Sequence, residues 1–233
     1  MKILATIILF ISPLFGASLE NGLKELREKA EAGVPQAQFE LGMRYDNARG
    51  VPRDRAEAVK WYSKSAVQGD AKGQYHFGLA YQVGSGVPQN DTEAVRWYRK
   101  AADQGLANAQ ENLARMYLDG KGVPKDEAEA FKWYRKAAEQ DQEYSVYMVG
   151  VMYLRGIGVT KDESEAIRWY RKAAEQGNPD SQMGLGVIYE KGLGVPKDEV
   201  EAAKWYHKAT ETQARLTQKF EALKAKGKKQ NEK

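Results

Sequence analysis

The sequence contains no cysteine and only two histidines, His76 and His207, among its 233 residues. Without cysteine the chain can form no disulfide, carry no lipid on a cysteine, and offer no thiolate to a metal or a substrate. The two histidines are not at a metal-ligand spacing, and no serine has a histidine placed beside it as a base. These absences predict a protein that is not an enzyme, with no catalytic residue, no metal site and no cofactor.

Long hydrophobic runs are absent after the first 18 residues. This segment begins with one positive charge at Lys2, continues with an apolar run from Ile3 to Phe15, and ends in small residues up to Ser18, as a secretory signal peptide does. The run has about 13 residues, whereas a helix that spans a membrane needs roughly 20. We predict a signal peptide over 1–18, cleaved near Ser18, and a periplasmic or secreted bacterial protein with no stable membrane insertion after cleavage; an uncleaved anchor is the alternative.

The formal charge of +4 is distributed unevenly along the chain. Residues 219–233 hold six lysines against two glutamates, whereas residues 19–218 sum to about −1. A domain that binds nucleic acid gathers its basic residues on the folded surface. We therefore expect no nucleic-acid partner, and we predict that residues 227–233 form a disordered basic tail.

Tryptophan occurs five times, at intervals of 36 residues, and each Trp has an Ala three positions before it, a Tyr directly after it and a Lys three positions after it. The five are Trp61, Trp97, Trp133, Trp169 and Trp205. Because these spacings place the Ala, Trp and Tyr on one side of a helix, the pattern predicts an amphipathic helix, here called helix B, in every repeat. We interpret the columns as core and not as a ladder for ligand stacking, because packing between repeats requires the same residue in every unit.

Each helix B has a recognisable start and end. An Asp or Asn lies seven residues before each Trp, with a Glu three residues after it; the pairs are Asp54 and Glu57, Asn90 and Glu93, Asp126 and Glu129, Asp162 and Glu165, and Asp198 and Glu201. This spacing indicates a capping box, in which the short side chain accepts from backbone N–H groups and the Glu reaches back to the cap. We interpret the acidic residues as helix starts and not as catalytic pairs. Gly69, Gly105 and Gly177 mark the ends, with Asp141 at that position in the third repeat.

A second helical pattern, helix A, precedes each helix B and is joined to it by a Gly-Val-Pro turn, or Gly-Val-Thr in the fourth repeat. A small residue recurs in the middle of helix A, as Gly42, Gly78, Ala114, Gly150 and Gly186. A Gly inside a helix costs about 1 kcal/mol relative to Ala. The column therefore predicts that another helix approaches closely at these positions.

These residues resemble the Sel-one-like repeat family, relatives of the tetratricopeptide repeats, whose unit has the form LGxxYxxGxGVxxDxxxAxxWxxKAAxxG. The resemblance runs from about Ala37 to Ala209, and its best copy is LARMYLDGKGVPKDEAEAFKWYRKAAEQ, from Leu113 to Gln140. The first repeat departs from it at Ala48, where the family has a loop Gly, and at Ser65, where it has Ala. The resemblance implies an all-α fold of antiparallel helix pairs stacked in a right-handed superhelical solenoid, with helix A on the concave side, serving as a scaffold for protein partners.

The ends of the chain fit a solenoid, whose terminal repeats need polar caps. We predict an N-terminal capping helix at 19–33, five repeats over 34–213, and a C-terminal capping helix at 214–226, continuous with the last helix B or bent from it. Leu216, Phe220 and Leu223 form the apolar stripe of this last helix.

Function is expected where the repeats differ, because packing fixes only the shared columns. Exposed aromatic, Met and Arg residues are the usual anchors of protein interfaces. The predicted partner-binding residues lie on the variable face of helix A and are Phe39, Tyr75, His76, Glu111, Arg115, Tyr147, Met148 and Met183. The alternative for each is packing against a neighbouring repeat. We predict a scaffold that binds a protein or peptide on this face; binding of cell-wall glycan or peptidoglycan is the alternative function.

Overall fold

The computed structural model describes residues 21–231, with side chains described as far as Leu223. The predicted signal peptide at 1–18 and the first residues of the predicted N-terminal cap lie outside the described residues. Every regular element in the described range is an α-helix. The helices are α1 (21–31), α2 (Pro35–Asp46), α3 (Arg55–Val67), α4 (Ala71–Val83), α5 (Asp91–Asp103), α6 (Ala107–Asp119), α7 (Glu127–Ala138), α8 (Glu143–Arg155), α9 (Glu163–Glu175), α10 (Pro179–Lys191) and α11 (Glu199–Asn231).

The described helices confirm an all-helical fold of repeated antiparallel pairs. The even-numbered helices are the A helices, and the odd-numbered helices from α3 onward are the B helices. In the first pair Gln38, near the start of α2, contacts Gln68 just after α3, whereas Asp46, at the end of α2, contacts Tyr62. The helices form two compact units, one ending at Lys125 and one beginning at Asp126, and from α2 onward each helix within a unit packs against the next.

The start of each helix B contains half of the predicted capping box. Oδ1 of Asp54 accepts a hydrogen bond from the backbone N–H of Glu57 at 2.9 Å, and the same bond begins α5, α7, α9 and α11. The prediction that the Glu reaches back is wrong, since Glu57 pairs with Lys60 at 2.9 Å. The backbone N–H of Asp54 already donates to the carbonyl of Tyr45 at 3.1 Å. The carbonyl of Tyr45, near the end of helix A, thus accepts the hydrogen bond that Glu57 was predicted to accept. Glu57 instead forms an ion pair within its own helix.

The predicted close approach to helix A is confirmed, and its partner is the Tyr column of helix B. A Cβ placed on Gly42 would lie 2.7 Å from two ring carbons of Tyr62. A Cβ on Gly78 would lie 3.0 Å from the ring of Tyr98. The rings occupy the volume that any side chain at these positions would need, which explains why glycine is present despite its helix propensity.

The shared Trp and Tyr columns of helix B are buried in the core in the first four repeats, as predicted, whereas Trp205 and Tyr206 of the fifth are half-buried. In α5, Trp97 is 4% exposed, while Ala94 and Tyr98 are fully buried. The repeated spacing also places Lys100 over the indole of Trp97, with its Nζ 4.3 Å from the ring centroid, and the Lys of every other repeat likewise lies over its Trp. The Lys column therefore covers the outer face of the indoles through cation–π contacts.

A glutamine column that was not predicted ties helix A to the preceding helix in four of the five repeats. The side-chain amide of Gln74 donates to the carbonyl of Ala66 at 3.2 Å. The equivalent bond, to the residue eight positions earlier, is made by Gln38, Gln110 and Gln182. Each amide satisfies a carbonyl at the end of a helix, where no intrahelical donor remains. Val146 stands at this position in the fourth repeat.

Among residues 21–231, two residues other than glycine adopt left-handed backbone conformations, and both stand at Gly positions of the repeat. Ala48 has φ of 54° and Asp141 has φ of 60°. Asp141 gains an ion pair with Lys172 at 2.7 Å, whereas no hydrogen bond of the Ala48 side chain is possible. Ala48 is consequently a strained position without a compensating contact.

At the N-terminal end, α1 packs as a helix B would. Leu26 and Ala30 are buried in one cluster with Ala37, Leu41 and Trp61. α1 thus covers the apolar side of α2 that would otherwise face solvent.

At the C-terminal end, α11 is one helix of 33 residues. The segment predicted as a C-terminal cap at 214–226 continues the last helix B within one helix, and residues 227–231, predicted to be disordered, have helical backbone. The physical reason lies at Gln213, which replaces the left-handed Gly or Asp that ends the earlier B helices. Within the described range no helix, α11 included, is long and apolar enough to cross a membrane.

Candidate functional site

The predicted partner-binding residues fall on two separate units. Phe39, Tyr75, His76, Glu111 and Arg115 belong to the first unit, on α2, α4 and α6. Tyr147, Met148 and Met183 belong to the second unit, on α8 and α10. Each unit therefore presents its own candidate surface.

In the first unit the structure brings three predicted residues together into a cluster of rings around His76. The imidazole centroid lies 5.2 Å from the ring centroids of Phe39, Tyr62 and Tyr75. Phe39, Tyr75 and His76 are all half-buried, while Tyr62 is a core residue that reaches the cluster with its ring. The cluster is an apolar surface whose members pack on one another and still face solvent in part.

A small polar cavity of about 220 Å³ adjoins this ring cluster. Tyr62 and His76 contribute to its wall, together with Asp46, Arg53 and Arg55. The hydroxyl of Tyr62 donates to Oδ2 of Asp46 at 3.5 Å. Burial lowers the pKa of His76, and the nearby Asp46 opposes this effect. The imidazole is therefore held toward its neutral form, in a cavity that offers groups of both charge signs.

The sequence contains a signal for this cavity, in residues that depart from the pattern of the other repeats. Arg55 occupies the first position of α3, where the other four repeats have an acidic residue: Asp91, Glu127, Glu163 and Glu199. An acidic residue is favoured at a helix N-terminus by the helix dipole, and a cation is disfavoured there. Helix stability therefore does not account for Arg55, and its departure from the column points to another role. Asp46 likewise has no acidic counterpart before repeat five, where Glu190 stands.

Tyr75, on α4, contacts α5 through its ring and lies close to polar residues of α6. Its ring centroid lies 5.8 Å from that of Tyr98. Burial raises the pKa of the Tyr75 phenol, as does the neighbouring Glu111, whereas Asn112 and Arg115 act in the opposite direction. Arg115 donates to Oδ1 of Asn112 at 3.2 Å. Part of the Tyr75 side chain therefore packs against neighbouring helices, which was the alternative to partner binding for each of these residues. Arg115 is exposed.

In the second unit the predicted residues do not form one cluster. Tyr147 is half-buried, with its ring centroid 6.3 Å from Tyr144 and 6.0 Å from Tyr170, and burial raises its pKa. Met148 is half-buried as well. Met183 is 47% exposed and instead lines an open groove between α10 and α11. Among residues 21–231, no three His, Asp or Glu side chains are grouped so that they could hold a metal ion.

Comparison with protein families gives a match over nearly all the described residues. The family model described as Sel1 repeat matches residues 35–70, 71–106, 107–142, 144–178 and 179–211. These five segments coincide with the five helix pairs, so the repeat boundaries of sequence and structure agree.

Two solved structures share the fold and more than a third of the aligned residues. The first is c5321, a protective antigen present in uropathogenic Escherichia coli strains and displaying an SLR fold; it is 38% identical, with a TM-score of 0.79 over 83% of this chain and 41% of that chain. The second is a Sel1 repeat protein from Oxalobacter formigenes, which is 36% identical, with a TM-score of 0.79 over 87% of this chain and 83% of that chain.

One curated relative matches over a shorter stretch. The chitin synthase regulator SKT5 of Saccharomyces cerevisiae is 35% identical over 63 residues, which are 27% of this chain and 9% of that protein. The chain thus spans less than a tenth of the yeast regulator and less than half of c5321.

Proposed function

The chain belongs to the Sel1 repeat family, and on this premise we propose that it binds a protein or peptide partner through the exposed face of its A helices, chiefly in the first unit. Sel1 repeats generally mediate protein–protein interactions. The variable positions of α2, α4 and α6 are the part of this scaffold that packing leaves free to differ.

The observation that carries the proposal is the ring cluster around His76 beside a polar cavity. Half-exposed Phe39 and Tyr75 supply apolar area at little conformational cost, as interface anchors do. Arg53 and Arg55 can donate to carbonyl or carboxylate groups, and Asp46 can accept from amides. An apolar surface next to donors and acceptors suits a peptide segment, which presents side chains and backbone polar groups together.

A sharp test follows from the departure of Arg55 from its column. Arg55→Glu restores the residue type of the other repeats and should leave α3 equally or more stable, by about 0.3–1 kcal/mol. If this variant loses binding, unfolding therefore cannot be the cause. Tyr75→Ser removes an anchor, and Arg96→Ser changes an exposed residue of helix B as the matched control.

The partner is first identified by mild crosslinking and capture, and its binding to each purified variant is then measured by calorimetry. We expect Arg55→Glu and Tyr75→Ser to weaken binding about 10-fold or more, while Arg96→Ser binds as the wild type does. Wild-type affinity in both variants would contradict the proposed face. Sedimentation with protein-free cell wall is the parallel measurement, and saturable binding there without a protein partner would favour the glycan alternative.

We also propose that the protein acts outside the cytoplasm, in the periplasm or after secretion. The signal-peptide layout of residues 1–18 supports this location, and a core built without cysteine is indifferent to the redox state of the compartment. Cell fractionation with N-terminal sequencing tests it. A mature N-terminus near residue 19 in the exported fraction is expected; an intact N-terminus in the membrane fraction would indicate the uncleaved anchor, and one in the cytosol would contradict export.

A further inference from the structure

An open apolar groove lies between α10 and α11 in the second unit. It has a volume of about 690 Å³, and Pro179, Met183, Ala209 and Ala214 line it, with Asp180 among the lining residues. Met183 is 47% exposed, so the groove faces solvent.

The same place one repeat earlier is filled by a helix A. There α10 packs against α9, where the amide of Gln182 donates to the carbonyl of Ala174 at 3.1 Å. A Cβ on Gly184 of α10 would lie 2.8 Å from the ring of Tyr170. Thr210 stands 36 residues after Ala174 and lines the open groove. The repeat geometry therefore identifies the occupant of the groove as a helix of the A type.

The second half of α11 carries the apolar spacing of such a helix. Leu216, Phe220 and Leu223 are separated by four and three residues, and they are 45%, 64% and 58% exposed. The same intervals separate the fully buried core residues of α10, namely Ser181, Leu185 and Ile188, and those of α6, namely Ala109, Leu113 and Met116. This stripe is the apolar face of an amphipathic helix that lacks a surface to pack on, with the spacing by which helix A packs in the earlier repeats.

The stripe does not reach the groove of its own chain. The earlier B helices end at a left-handed residue, Gly69, Gly105, Asp141 or Gly177, after which the chain turns back. Gln213 stands at this position in the last repeat and continues the helix. Because the helix does not turn, Gln213, Ala214, Thr217 and Gln218 of α11 line one wall of the groove, while Leu216, Phe220 and Leu223 are not among its lining residues.

We propose that two copies of this chain pair through these segments, so that the stripe of each copy, Leu216, Phe220 and Leu223, packs into the groove between α10 and α11 of the other. Each copy then supplies the packing surface that the stripe of the other lacks, in a two-fold symmetric arrangement typical of homodimers. Charge supports this occupant, since Arg215 and Lys219 flank the stripe and Asp180 lines the groove. The proposal is independent of the function proposed for the first unit.

The test is the mass of the purified protein in solution, measured by sedimentation equilibrium over a range of concentrations. We expect a reversible dimer. Phe220→Glu, in the stripe, and Met183→Glu, in the groove, should each raise the dimer dissociation constant about 10-fold or more. Ala222→Glu places the same charge on another side of α11 and is the matched control. Circular dichroism checks that each variant retains its helices.

Mixing the two defective variants tests the pairing itself. The Phe220→Glu chain keeps its groove, and the Met183→Glu chain keeps its stripe, so one of the two contacts between stripe and groove can form between them. Native mass spectrometry should show a mixed dimer in excess of either homodimer. A mixture without mixed dimers would mean that the stripes pair with each other and would overturn the proposal. A monomeric wild type would also overturn it, whether or not the stripe then binds anionic vesicles or an acidic helix.

Discussion

Replacing Gly42 by Ala should destabilise the first repeat, although the same change stabilises an isolated helix. Ala is favoured over Gly in a helix by about 1 kcal/mol. In the folded chain, however, the new Cβ would lie 2.7 Å from two ring carbons of Tyr62 and 3.0 Å from the carbonyl oxygen of Ala58. Tyr62 is only 3% exposed and is packed on the core, so its ring has little room to move. Overpacking of this kind costs about 1–3 kcal/mol, and we expect a net loss of about 1 kcal/mol.

The matched control is Gly150→Ala, at the same position of the fourth repeat. Here the nearest atom of Tyr170 would lie 3.3 Å from the new Cβ, a distance that a shift of a few tenths of an ångström relieves. Most of the helix propensity gain should remain, and we expect a net stabilisation of about 0.5 kcal/mol. The third repeat has Ala114 at this position already.

Urea unfolding followed by circular dichroism gives the free energies, and native-state hydrogen exchange assigns each change to its own repeat, because repeat proteins can open in parts. Adding Tyr62→Leu to Gly42→Ala should recover stability relative to the sum of the single changes, since Leu has no ring at the clash. Equal effects of Gly42→Ala and Gly150→Ala, or additive behaviour with Tyr62→Leu, would refute the reasoning.

The remaining predictions concern single side chains. Ala48→Gly should raise the free energy of unfolding by about 1 kcal/mol, since the left-handed backbone strains Ala and not Gly; an unchanged urea midpoint would contradict this. Gln74→Leu should cost about 2 kcal/mol and Gln182→Leu about half of that, because the amide of Gln74 makes two hydrogen bonds and that of Gln182 makes one; equal losses would argue against it. Burial lowers the pKa of His76 in the folded chain, so the unfolded chain takes up this proton first and stability should fall as the pH drops below about 6.5. Melting temperatures between pH 5 and 8 should show a flatter slope for His76→Gln than for the wild type, and equal slopes would contradict this.

Much of the fold could be predicted because its determinants are local and repeated. The Trp97 column and the cap position of Asp54 recur at a fixed interval, so the sequence shows the same type of residue in the same environment five times. The glutamine column, exemplified by Gln74, could have been found in the same way, since it recurs at the same position in four of the five repeats. The role of Glu57 could not, because its capping partner is taken by a carbonyl from another helix.

The candidate site was predictable only in part. The helix A positions of Phe39 and Tyr75 follow from the spacing, and their partial burial does not, because it depends on rings contributed by other helices. The polar cavity joins Asp46, Arg53 and His76, which lie at a helix end, in a loop and within the next helix A. Such a cavity is visible in sequence only through departures from the columns, as at Arg55.

The sequence by itself determined the helices, their repeat length, the buried columns and the family, because these depend on periodicity and on contacts that are the same in every unit. Tertiary structure decided which of the variable side chains remain exposed and which of them line the polar cavity or the groove. It also decided that α11 continues as one helix past Gln213, so that the apolar stripe on α11 does not enter the groove between α10 and α11. The reason is that exposure at a variable position is set by neighbours from other helices, and their side chains differ from repeat to repeat.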